Sequence, residues 1–139
     1  MIRPKLILCA DYVLLDSQTN SVTAFSIIED ITPEGFPVFL PRFSILSVLE
    51  RDPEDPDSIV TKVDVSLDDQ SVYSAEGPIE FQGKKRSRHI TILGGLPIPK
   101  PGVLSATIST EGRELHRYVI EVNPSRAQPQ VREQSAPYG

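Results

Sequence analysis

Proline is scattered through this chain, and it narrows the possible folds more than any other feature. Thirteen of the 139 residues are Pro. A proline ring locks φ and lacks an N–H, so it breaks helices and is accepted in sheets only at turns, edges and bulges. Pro33, Pro37 and Pro41 cut the stretch that follows the first two apolar runs, and Pro97, Pro99 and Pro101 cut another. The segments between carry mostly Val, Ile and Leu with few aromatics and no Trp. Short strands suit that material better than long helices.

The strands can be read one by one. Residues 5–15 are apolar on both faces, as in a doubly covered strand. Asp16 to Asn20 is turn chemistry. The next run alternates, with Thr23, Phe25, Ile27, Glu29 and Ile31 sharing a face. Residues 42–50 read as a strand, although the same letters also fit a short amphipathic helix. The cleanest alternation follows: Ile59, Val63, Val65 and Leu67 point one way, Lys62, Asp64, Ser66 and Asp68 the other. Further strands are expected around 79–82 and 87–93. The stretch KPGVLSATISTEGRELHRYVIEVNP, residues 100–124, is a β-hairpin turning at Glu111-Gly112, with Tyr118, Ile120 and Val122 inward. Its first strand is expected to lie at a sheet edge.

This pattern predicts one antiparallel β-sandwich of seven to eight strands over residues 1–123, immunoglobulin-like or C2-like, and a disordered tail over 124–139. Its core is expected to contain Leu6, Leu8, Phe25, Ile27, Val63, Val65, Ile108 and Ile120.

Charge and cysteine content exclude several classes of function. A net charge of −5 opposes general nucleic-acid binding, whose affinity comes from Lys and Arg. No apolar run approaches the ~20 residues that span a bilayer. Asp11 stops the N-terminal apolar run too early for a secretory signal, so a buried first strand is the better reading. Cys9 is the only cysteine and is expected to be a small core residue, which permits a reducing cytoplasmic setting.

Several clusters invite a chemical reading. ERDPEDPD, residues 50–57, concentrates carboxylates, and Asp52, Asp55 and Asp57 are its candidate ligands for a hard cation, with Asp68 and Asp69 as a second acidic loop. The spacing lacks an EF-hand's central Gly, so a solvated connection that discourages edge aggregation is favoured. Lys84, Lys85, Arg86 and Arg88 form a basic cluster suited to an acidic protein surface, phosphate or anionic lipid, without interleaved aromatics to stack bases. Gly94-Gly95 is followed by prolines rather than a helix, which removes a phosphate loop. His89 and His116 have no third nitrogen or sulfur ligand nearby, and no G-x-S-x-G elbow occurs.

The run LILCADYVLLDSQTNSVTAFSIIEDI, the following FPVFLPRFSILSVLERDPEDP and the closing PGVLSATISTEGRELHRYVIEV resemble an uncharacterised family of small bacterial proteins. The closing hairpin is also similar to the last hairpin of immunoglobulin-like sandwiches. The resemblance implies a sandwich and carries over no catalytic residue. The expected function is a non-enzymatic protein-binding or assembly module without a cofactor, binding a protein partner or a second copy through Lys84, Lys85, Arg86 and Arg88. The alternatives are a calcium- or anionic-lipid-responsive C2-like module and a small hydrolase with a cryptic site.

Overall fold

A computed structural model describes residues 1–125, and these form strands without a helix. The strands are β1 (Arg3–Leu15), β2 (Val22–Ile27), β3 (Asp30–Ile31), β4 (Val38–Leu40), β5 (Phe43–Glu50), β6 (Ser58–Leu67), β7 (Gln70–Glu80), β8 (Arg86–Leu93), β9 (Leu96–Ile98), β10 (Gly102–Thr110) and β11 (Arg113–Val122). One sheet runs β2-β1-β5-β8, a second runs β3-β11-β10-β6-β7, and β4 pairs with β9. All pairs are antiparallel except the short β3–β11 contact. The expected all-β, sandwich-like class is observed, with eleven strands rather than seven or eight. The excess comes largely from β3, β4 and β9, pieces of two or three residues that alternation cannot register. The expected disordered tail lies outside the described residues from 126 onward; Pro124 and Ser125 are described.

The core lies between the two large sheets. Ile7, Cys9, Phe43, Ile45 and Leu49 from one meet Val63, Val65, Leu104, Ile108 and Ile120 from the other. Residues 43–50 are a central strand, not a helix, since β5 is hydrogen-bonded on both sides. Cys9 is fully buried as expected, and the apolar surroundings push its thiol pKa up to about 12.

Half of the expected core is misplaced. Leu6 is 41% exposed, Phe25 50% and Ile27 51%. Leu8 packs in a separate cluster on the outer face of the first sheet, because the inward phase of β1 is Ile7 and Cys9. Beyond Ala10 the buried parity switches: Val13, Val22 and Ala24 join Leu8, Ala10, Leu46, Val48 and Ile90. The end of the β1–β2 hairpin therefore folds as an arm onto the outer face of its own sheet. Arg88 Nη1 donates to the Asn20 carbonyl at 2.8 Å and pins the tip. Tyr12, Leu14 and Phe25 occupy the solvent side of the arm. Ser26 has φ 56, and past it Ile28 turns into the main core while Ile27 points out.

Two more expectations change. Strand β10 is central, flanked by β11 and β6 from Leu104 opposite Leu67 to Ser109 opposite Lys62, so residues 103–110 offer no free edge. Asp68 and Asp69, with φ 49 and 68, form the tight turn from β6 into β7 rather than a ligand loop. Asp68 accepts the Val103 N–H at 2.9 Å, and a Cβ on Gly102 would meet its carboxylate at 2.5 Å. Glycine is needed there for that close approach.

Candidate binding site: a basic groove beside β8

The β7–β8 connection brings the basic cluster against the acidic 50–57 loop, because β8 pairs with β5 up to Glu50 opposite Arg86. Arg86 Nε donates to Glu50 Oε2 at 2.6 Å. Arg3 reaches Glu50 at 3.3 Å and Asp52 at 3.0 Å, and Lys5 lies 4.0 Å from Glu50. The Met1 ammonium contacts Asp52 at 2.6 Å and Asp55 at 2.7 Å. Arg51 bridges the two loops: it pairs with Asp57 at 3.2 Å, donates to the Lys84 carbonyl at 2.8 Å, and lies over the Phe81 ring. Asp57 also accepts the Gly83 N–H at 2.7 Å.

These contacts set the protonation of the cluster. The Arg86 hydrogen bond, with help from Lys5, holds Glu50 below the usual carboxylate range against its own desolvation. The Met1 ammonium, then Arg3, lowers Asp52; the same ammonium and the Asp52 N–H lower Asp55. Met1 is raised in return, first by Asp52. Asp52, Asp55 and Asp57, the candidate cation ligands, are thus turned onto cations of the chain itself. Their carboxylates do not converge on one point with a third ligand: among the described residues no three His, Cys, Asp or Glu side chains are grouped to hold a metal.

The four expected partner-binding residues fare differently from one another. Arg86 is occupied by Glu50, and Arg88 holds the arm. Lys84 and Lys85 are exposed in the turn, and no carboxylate among the described residues lies within ion-pair distance of either. They stand as a ridge between two hollows. The larger, about 840 Å³, is lined by apolar Leu15, Val22, Val48 and Ile90 and by the cations Lys84, Lys85, Arg86 and Arg88, with Glu80 as its one carboxylate among the described residues. The smaller, about 410 Å³, lies on the other flank with Arg3, Arg51 and Asp52. The sequence signals Lys84 and Lys85 by their run alone. It carries no sign of the apolar floor, which exists only because the arm folds onto β5 and β8.

A second juxtaposition was not visible in the spacing. Ser47 lies directly across from His89 in the β5–β8 ladder, on the inward face. Neither Ser47 Oγ nor His89 Nδ1 has a hydrogen-bond partner among the described residues. Burial lowers the His89 pKa and favours neutral imidazole. Ser47 is only 1% exposed, so its hydroxyl is shielded from a substrate carbonyl in this conformation.

No helix among the described residues is long and apolar enough to cross a membrane. A family model, a family of unknown function designated DUF6941, matches residues 5–123. No curated protein matches the chain.

Proposed function

Because the chain belongs to DUF6941, a family of unknown function, its activity has to be argued from its own surface, and we propose a non-enzymatic protein-binding module that captures an extended, acidic segment of a partner in the groove beside β8. The observation that carries the reading is the placement of Lys84 and Lys85, which have no ion-pair partner among the described residues, beside an apolar floor. An aliphatic side chain of the ligand gains from burial against Val22, Val48 and Ile90, while its neighbouring carboxylates meet the lysines. A free phosphate would use the cations and leave the floor uncovered. The proposal includes a cytoplasmic setting, where a single buried thiol needs no disulfide partner. It also includes immunoglobulin-like class within the all-β fold, supported by two facing sheets closed by a C-terminal hairpin.

Fluorescence anisotropy with a labelled peptide of alternating Glu and Leu tests the reading. Binding is expected to weaken as salt rises and to be lost in Lys84→Glu/Lys85→Glu. That pair is cleaner than a triple change including Arg86, whose reversal would set a carboxylate against Glu50. Equal affinity for wild type and double variant, or for a Glu–Gly control peptide, overturns the proposal.

A further inference from the structure

The two large sheets end on β2 and β8, and on β3 and β7. Most edge strands carry features that repel another strand. Strand β8 begins with Arg86 and Arg88, and β7 contains Glu76, Gly77, Pro78 and Glu80. Strand β2 reads VTAFSI, with no charge, no proline and no glycine, and pairs with β1 alone. It is also the solvent-side lip of the arm, where Phe25 sits opposite Tyr12 and both are about half exposed.

The backbone defines what can join this edge. The Asp16 N–H donates to the Ser21 carbonyl at 2.8 Å, which marks that pair as hydrogen-bonded. Antiparallel alternation then gives the inward bonds to Thr23 and Phe25, and turns the N–H and C=O of Val22 and Ala24 to the open side. Ser26, at φ 56, ends the regular edge. The available run is Val22–Phe25.

We propose that β2 pairs with β2 of a second copy, antiparallel about a two-fold axis at Thr23, to give a reversible dimer. In this register Val22 faces the partner's Ala24 and Ala24 faces the partner's Val22. All outward groups of both strands are then used, in about four hydrogen bonds. Thr23 meets the partner's Thr23 as a non-hydrogen-bonded pair, the closer kind, and Thr–Thr pairs are favourable there. Register parity also keeps Val22 and Ala24 of both copies on the arm's packed side, and Thr23 and Phe25 on its open side. A second copy brings the same uncharged run to the pair, so no like charges are opposed across it. The contact uses up the edge, so it closes at two subunits rather than growing. Two such short strands bury less than the ~1,200–2,000 Å² of a standard interface, so association is concentration-dependent.

Sedimentation velocity of the full chain over a concentration series tests this. Wild type is expected to move from 15.4 kDa toward twice that mass as concentration rises. Thr23 is exposed, so Thr23→Lys keeps the fold and melting temperature but places two ammonium groups together at the axis; it is expected to stay monomeric. Thr23→Val is expected to dimerise as wild type does. Hydrogen exchange locates the contact: the Val22 and Ala24 amides should slow with concentration in wild type and not in Thr23→Lys. A wild type monomeric up to about 1 mM, an unaffected Thr23→Lys, or a dimer in which those amides exchange at the monomer rate overturns the proposal. The Lys84→Glu/Lys85→Glu variant is expected to dimerise normally, so failure of the groove reading leaves this result interpretable.

Discussion

The end of the sandwich built from residues 50–57 and 81–88 and the arm formed by the β1–β2 hairpin invite opposite first readings. The charged end looks like a surface waiting for a partner, and the arm, dense in Leu, Val, Phe and Ile, looks like core. In the folded chain Glu50, Asp52, Asp55 and Asp57 of the charged end are spent on Arg86, Arg3, Arg51 and the Met1 ammonium, while Lys84 and Lys85 have no carboxylate within ion-pair distance among the described residues. The arm buries one side on Leu46, Val48 and Ile90 and shows Tyr12, Leu14 and Phe25 to solvent on the other. Opposite charges in two loops do not make opposite poles when strand pairing sets the loops side by side. An apolar alternation does not make core when the strand that bears it has only one face to cover.

The sharpest way to break this comparison is to place a charge where burial is certain. Val65 is fully buried between the sheets, so Val65→Asp is expected to unfold the domain, as read by loss of the cooperative thermal transition. A folded variant with an unchanged melting temperature would show the face assignment of β6 to be wrong.

The two sides of the arm separate next. Leu46 is buried under it, and Leu46→Ala is expected to lower stability by about 2–4 kcal/mol in urea denaturation. Phe25→Ala, on the open side, is expected to stay within about 0.5 kcal/mol in the monomer. Equal costs would mean the arm does not fold onto the sheet.

Acid should act on the charged end and spare the arm. Glu50, Asp52 and Asp55 have folded pKa values below their ordinary range, so their contribution is present above that range and is lost as pH falls through the lowered values. The melting temperature is expected to drop as pH is taken from about 5 toward 3, and to drop less steeply in Glu50→Gln. Parallel curves for both proteins would remove Glu50 from the network.

The smallest effect is expected at the free cations. Lys84→Ala/Lys85→Ala breaks no ion pair among the described residues and should leave the melting temperature nearly unchanged while weakening peptide capture. A clear loss of stability would reveal a structural role for the lysine ridge.

Local chemistry by itself marked most of the long strands and the closing turn of this protein, but not β7, which runs from Gln70 to Glu80 where a strand is expected only around 79–82. Proline spacing ruled out long helices, period-2 runs marked β6, β10 and β11, and Glu111-Gly112 adopts the positive φ values of 51 and 76 that a tight hairpin requires. Val63, Val65, Ile108 and Ile120 were legible as core because their strands lie inside a sheet with one face on the interior. Tertiary structure alone decided the fate of Leu6, Phe25 and Ile27, since strand period says which residues share a face and never which face is covered. It also decided that β10 is central and β2 an edge, because strand order is set by pairing between segments far apart in sequence. The groove follows the same logic: Lys84 and Lys85 were visible as a basic run, but their apolar floor is assembled from β1, β2, β5 and β8 only when the arm bends back onto the sheet.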